Sequence, residues 1–87
     1  MERDKKQVIL MYIDQMNLTE GYKGMILRAV NAPEETRGSA KVIDSAYKYA
    51  LLVETKVLSS RREAHAGAHL KLACESYNAE LQGEHLK

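Results

Sequence analysis

A run of more than forty residues, 39–81, contains no proline and carries apolar side chains at helical spacing. Its middle holds a second helix-start signal, Ser-Arg-Arg-Glu at residues 60–63, in which Ser60 can cap a helix and Glu63 can reach back to its amide. The run is therefore either one very long helix or two helices folded back on each other. The apolar heptads before and after residues 59–63 do not share a register, which favours two helices over a continuous rod.

The first half of the chain predicts two shorter helices and a turn. The first helix covers residues 3–16. The second covers residues 20–30 with Thr19 as its N-cap, because a threonine hydroxyl can accept from an amide of the first turn. Pro33, followed by two glutamates, is typical of a further helix start, since proline suits the first helical position and carboxylates suit the positive end of the helix dipole.

The widest apolar face of the sequence lies in residues 40–58. A face this wide needs neighbours on two sides, so this segment is predicted to be the central helix. The final helix, residues 61–81, has a narrower stripe at heptad spacing, formed by Gly67, Leu70, Cys74, Tyr77 and Leu81. The sequence thus predicts an all-α fold, a small three- or four-helix bundle with a long central helix, in a single domain spanning residues 1–87.

Charge and cysteine content exclude several classes of protein. The 13 Lys and Arg residues nearly balance the 12 Asp and Glu residues, so no global charge attracts nucleic acid or an anionic membrane. Cys74 is the only cysteine, which excludes an intramolecular disulfide. No segment approaches the roughly 20 apolar residues that span a bilayer, and the apolar run at residues 8–13 is too short for a secretion signal. We expect a cytoplasmic protein that does not bind membranes.

His65 and His69 are four positions apart, a spacing that places two imidazoles on one side of a helix within reach of one metal ion. Transition-metal sites in proteins usually need a third protein ligand. Cys74 points toward the apolar stripe, away from this pair, and cannot supply that ligand. We therefore predict two surface histidines, with no metal and no cofactor.

Arg62 and His69 lie on the same polar flank of the last predicted helix, because seven positions return almost to the same direction. An arginine and a histidine with six residues between them, and with polar Glu63 after the arginine, resemble the Arg-x4–6-His signature of HEPN-type ribonucleases. In that family two copies meet as a dimer whose Arg and His side chains act on the RNA phosphodiester. The resemblance covers eight residues. It implies an alternative function, a ribonuclease in which the Arg62 guanidinium clamps phosphate and the His69 imidazole transfers protons.

A helix-turn-helix that binds nucleic acid is another alternative. The helix at residues 20–30, the turn after it and the helix at residues 40–58 have the necessary order. The basic cluster Lys56, Arg61 and Arg62 is the candidate contact with phosphates. The two glutamates that follow the proline oppose this alternative, because they lie where a recognition helix would meet phosphates.

Glu54 projects from the middle of the wide apolar face, where a carboxylate must be paired, hydrogen-bonded or protonated. Either the helix end is exposed and Glu54 reaches water, or Glu54 makes a polar contact that fixes the register against a partner helix. Tyrosine hydroxyls are available as hydrogen-bond donors to it.

A second apolar surface lies on the last helix, away from the heptad stripe, and contains Ala68, Leu72 and Ala79. This surface would be exposed in a monomer, which favours a homodimer. The predicted partner-binding residues are Glu54, Leu58, Ala68, Leu72 and Tyr77. The sequence has no nucleophile paired with a base, no pair of catalytic carboxylates and no glycine-rich phosphate loop. We therefore predict a small helical protein-interaction or regulatory module that binds itself and another protein, and we do not expect an enzyme.

Overall fold

The computed structural model describes residues 4–56 and 59–86, with side chains up to residue 83. The described residues form four helices in the order α1 (Lys5–Tyr12), α2 (Glu20–Asn31), α3 (Arg37–Thr55) and α4 (Ser60–Leu86), with a 3-10 turn at Ile13–Gln15 after α1. They contain no strand, and none of their helices combines the length and apolar character needed to cross a membrane. The predicted all-α bundle is confirmed.

The chain reverses direction between α3 and α4, so the long C-terminal run forms two helices, as predicted. Lys56 ends α3 in the left-handed conformation, with φ 57° and ψ 31°, and its amide donates to carbonyls in the last turn of α3. Tyr49, late in α3, contacts Glu63, early in α4, whereas Gly38, early in α3, contacts Glu80, late in α4. α3 and α4 are therefore an antiparallel pair.

The start of α4 differs in detail from the sequence prediction. The helix begins at Ser60, and the residue before it supplies the cap, because the Ser59 hydroxyl accepts a 3.2 Å hydrogen bond from the Arg62 amide. The Glu63 carboxylate accepts from the Tyr49 hydroxyl of α3. The prediction that Ser60 and Glu63 form a capping box is therefore wrong.

A capping box does occur at the start of α3, which begins at Arg37 and not near Pro33. The Thr36 hydroxyl accepts from the Ser39 amide at 3.1 Å, while the Ser39 hydroxyl accepts from the Thr36 amide at 2.8 Å. Two backbone amides without helical partners are satisfied reciprocally in this way. Thr36 is therefore the N-cap of α3, and the helix start predicted at Pro33 is wrong. Thr19 does precede α2, as predicted, but its hydroxyl makes no capping hydrogen bond.

α3 is the central helix, as its wide apolar face predicts, because it packs against α1, α2 and α4. The buried side chains of all four helices join in one hydrophobic cluster, whose burial stabilises the fold by about 25 cal/mol per Å² of apolar surface. The contribution of α4 is the predicted heptad stripe, with buried Leu70, Ala73, Cys74 and Tyr77. This packing fixes α3 and α4 side by side and leaves their outer flanks facing solvent.

Candidate functional site

An open groove of about 780 Å³ runs between α3 and α4. Each helix contributes one wall, formed by the flank that it turns toward the other helix. The residues that line the α3–α4 groove are Ser45, Lys48, Leu51 and Leu52 of α3 and Arg61, Arg62, His65, Ala66 and His69 of α4. The groove is thus a direct product of the antiparallel pairing of the two helices.

Positive charge dominates the rim of the α3–α4 groove. Lys48, Arg61 and Arg62 line it together with two histidines, and none of the carboxylates whose side chains the structure describes is among its lining residues. The three cationic side chains are exposed, and they make no ion pair with any side chain in residues 4–56 and 59–83. Their positive charges can therefore attract an anionic ligand from solvent into the groove.

Apolar side chains form the floor of the α3–α4 groove. Leu51, Leu52 and Ala66 are half-buried, in contrast to the exposed cations around them. Covering a half-buried leucine removes further apolar surface from water, which is favourable at about 25 cal/mol per Å². The groove can therefore bind a ligand by charge at its rim and by apolar contact at its floor.

Arg62 and His69 both line this groove. Seven positions along α4 separate them by ~10 Å of helix axis, and Arg61 and His65 line the same wall. Glu63, the polar residue after the arginine, is turned away from the groove and accepts a hydrogen bond from α3. The Arg-and-His pair singled out in the sequence is thus accessible to solvent among further basic groups.

The imidazole rings of His65 and His69 lie close together, with centroids 4.5 Å apart and ring planes tilted by 59°. In the part of the chain that the structure describes, no group of three His, Cys, Asp or Glu side chains is placed to hold a metal ion. Cys74 lies on the core side of α4, where burial and then the charge of Glu75 raise the pKa of its thiol to about 11. Both imidazoles are exposed on the α4 wall of the groove.

The basic cluster predicted to contact phosphates is only partly assembled in the groove. Arg61 and Arg62 line it, whereas Lys56 is exposed at the turn that ends α3 and is not among the lining residues. Lys48, which sequence reasoning did not assign to this cluster, takes its place on the opposite wall.

Two of the predicted partner-binding residues, Glu54 and Tyr77, make contacts within the chain. Glu54 is half-buried and accepts a 3.1 Å hydrogen bond from the Tyr12 hydroxyl, a contact that joins α1 to α3 within the chain. Tyr77 is 3% exposed and packs in the core, which corrects the prediction that it faces a partner. Its position in the heptad stripe of α4 explains this burial. Leu58 lies outside the described residues.

Ala68 and Leu72 are exposed on α4, and they border different depressions. Leu72 is 63% exposed and lies with His69 on the side of α4 that faces α3. Ala68 borders a depression on another side of α4, which Asn17 and Tyr49 also line. The two residues, four positions apart on one helix, therefore form a ridge between the two depressions.

The Tyr49 hydroxyl links three parts of the fold behind this ridge. It accepts a 3.1 Å hydrogen bond from the Asn17 amide and donates a 3.3 Å hydrogen bond to the Glu63 carboxylate. Burial raises the pKa of the Tyr49 phenol, the Asn17 amide partly opposes this change, and the charge of Glu63 adds to it. The phenol is therefore a neutral structural group that holds α4 against α3.

The lysine and the two leucines of the groove were missed as site residues by sequence reasoning. All three residues lie in the segment 40–58, which the sequence predicts as the central helix without relating it to the start of the last helix. The signal that relates them to Arg61 and Arg62 is the antiparallel pairing of α3 with α4, which brings the end of one helix beside the start of the other.

No protein-family model, curated protein or solved structure matches this chain.

Proposed function

We propose that this protein is a small helical interaction module, regulatory in role, that binds another protein through the α3–α4 groove. The observation that carries the proposal is the composition of the groove, in which Lys48, Arg61 and Arg62 surround a floor containing Leu51 and Leu52, with no carboxylate among the described residues that line it. A ligand that combines negative charge with apolar side chains satisfies both kinds of contact at once.

The apolar floor favours a protein over a nucleic acid as the ligand. Affinity for nucleic acid comes largely from phosphate contacts, to which half-buried leucines add little. α3 packs against the three other helices, so it has little free surface with which to enter a DNA groove as a recognition helix. The exposed Glu34 and Glu35 precede α3 and would repel phosphates there.

Affinity capture with the tagged full chain tests this function. Wild-type protein and the variants Arg62→Glu and Arg28→Glu are incubated with nuclease-treated lysate of cells that express the chain. Arg28 is the matched control, because it is an exposed arginine on α2 that does not line the groove. We expect that wild type and Arg28→Glu capture a protein from the lysate that Arg62→Glu does not capture. Circular dichroism checks that all three forms of the chain are folded. Equal recovery by both variants would contradict the proposal.

A second function is favoured by one specific observation, the presence of Arg62 and His69 in the same solvent-accessible groove. Their spacing resembles the signature of HEPN-type ribonucleases, and in this role they would act on an RNA phosphodiester. Cleavage of labelled RNA by the wild type, lost in both Arg62→Ala and His69→Ala, would support the ribonuclease. Absence of cleavage by pure wild-type protein would remove it.

We propose in addition that the module is a cytoplasmic homodimer. The support for self-association is the exposed ridge of α4, on which Leu72 is 63% exposed. The support for the location comes from the sequence, in which Cys74 is the only cysteine and no intramolecular disulfide can form.

A further inference from the structure

We infer that the α3–α4 groove binds an acidic amphipathic helix of two to three turns, contributed by the partner protein. This inference rests on the proposed function and names the class of segment that the groove recognises. The groove has the length of a short helix. Its apolar floor matches the apolar side of such a helix, and its basic rim matches acidic side chains on the flanks of the helix.

The length of the groove fits a short helix. Arg61 and His69 are eight positions apart on α4, which corresponds to ~12 Å along the helix axis. On the opposite wall Ser45 and Leu52 are seven positions apart, which corresponds to ~10 Å. Both walls belong to one antiparallel helix pair, and a third helix can pack between two such ridges. Two to three turns of helix, at ~5.4 Å per turn, cover this length.

The floor of the groove determines the apolar side of the bound helix. Leu51, Leu52 and Ala66 offer a strip of half-buried carbon surface. Helices bound in grooves present apolar anchors at positions i, i+3 or i+4, and i+7, which lie along one face. We therefore expect two or three leucine-like anchors on the bound segment, spaced in this way.

The rim of the groove determines the charge of the flanking positions. Arg61 and Arg62 can each make paired hydrogen bonds to a carboxylate, a geometry that arginine provides and lysine does not. Lys48 adds a positive charge on the opposite wall, so carboxylates on both flanks of the bound helix meet a cation. A basic or neutral helix would leave these charges without partners.

A designed probe tests the inference directly. The probe is a fluorescein-labelled 14-residue peptide, helical in propensity, with leucines at i, i+4 and i+7 and glutamates at the flanking positions. Three comparison ligands are a scrambled peptide of the same composition, a peptide with lysine in place of glutamate, and a single-stranded RNA of the same label. Fluorescence anisotropy measures binding of each ligand to the full chain.

We expect the acidic probe to bind at least tenfold more tightly than the scrambled and lysine peptides. Arg62→Glu and Lys48→Glu should each weaken probe binding about tenfold, because both change exposed rim residues, whereas Arg28→Glu should leave it unchanged. Equal binding of probe and scrambled peptide, or tighter binding of RNA than of the probe, would overturn the inference. If lysate capture yields a groove-dependent protein while the probe does not bind, the interaction module stands and the acidic helix is wrong. If neither occurs, both fail.

Discussion

Replacing Gly38 with alanine should destabilise the protein, although alanine is the better helix former. Gly38 is the second residue of α3, and no glycine of the described residues has a positive φ. A Cβ atom at this position would lie 3.0 Å from both carboxylate oxygens of Glu80 and 3.0 Å from a ring carbon of Tyr77. The glycine is therefore needed because α4 approaches the start of α3 closely, and not for its backbone freedom.

The expected magnitude follows from what the Glu80 carboxylate does. It accepts a 2.6 Å hydrogen bond from the Thr36 hydroxyl and a 3.1 Å hydrogen bond from the Gly38 amide, so it caps α3 from the neighbouring helix. Each hydrogen bond to a charged group contributes about 1.5–3 kcal/mol, and alanine regains up to ~1 kcal/mol of helix propensity. Tyr77 is buried in the core, so a shift of its ring would disturb the side chains packed against it. We expect the free energy of unfolding to fall by about 2 kcal/mol, which lowers the melting temperature by roughly 8–16 °C in a domain of this size.

Gly24 provides the matched control, because it lies inside α2 and a Cβ atom there would have no other atom within 4 Å. Gly24→Ala should raise the free energy of unfolding by up to ~1 kcal/mol. Urea unfolding followed by circular dichroism measures both variants against the wild type. The opposite signs of the two changes are the diagnostic result. A Gly38→Ala variant as stable as the wild type would refute the argument from close helix approach.

Three further predictions concern the core, the thiol and the exposed ridge of α4. Tyr49→Phe should lower the free energy of unfolding by about 1–2 kcal/mol, because it removes the hydroxyl that joins the Asn17 amide to α4. Thermal melts should show no such loss for the control Tyr22→Phe, because the hydrogen bond of Tyr22 is exposed and 3.5 Å long. Burial raises the pKa of the Cys74 thiol from 9.0 to about 11, so the neutral thiol is favoured in the fold and the stability that it contributes is lost as the pH rises from 9 to 11. Urea titrations across this pH range should show that loss in the wild type and a smaller one in Cys74→Ala. Leu72→Asp should change the free energy of unfolding by less than ~0.5 kcal/mol, since Leu72 is 63% exposed. Light scattering should show that it converts the proposed homodimer to a monomer. A variant that stays dimeric would show that Leu72 is not part of the interface.

The helices of this protein could be predicted because their apolar spacing is regular. The change of register at residues 59–63 correctly indicated that the C-terminal run is two helices. The residue that makes the turn could not be predicted, because Lys56 adopts the left-handed conformation that glycine and asparagine favour. The central helix was predicted to start at residue 40 and starts at Arg37, because the reciprocal hydrogen bonds of Thr36 and Ser39 cap it there.

The site was only partly predictable, because a helical pattern shows which residues share a flank but not what that flank meets. The common flank of Arg62 and His69 was correctly identified from their spacing, and the structure places both in one groove. The opposite wall with Lys48 depends on the pairing of α3 with α4. Tyr77 shows the same limit, since a heptad stripe that packs inside one chain has the same period as one that packs on a partner.

The charge of the α3–α4 groove constrains how self-association and partner binding can occur together. A two-fold axis through the groove would set Arg61 and Arg62 against the same residues of the second copy, because such an interface uses one patch on both subunits. Like charges ~4 Å apart repel by about 1–4 kcal/mol per pair near a protein surface, and in the described part of the chain no carboxylate lines the groove to offset this repulsion. The groove is therefore a poor dimer interface for the same reason that it is a good site for an acidic helix. Leu72 is not among the lining residues of the groove, so the proposed homodimer avoids this repulsion when it forms through the Leu72 ridge.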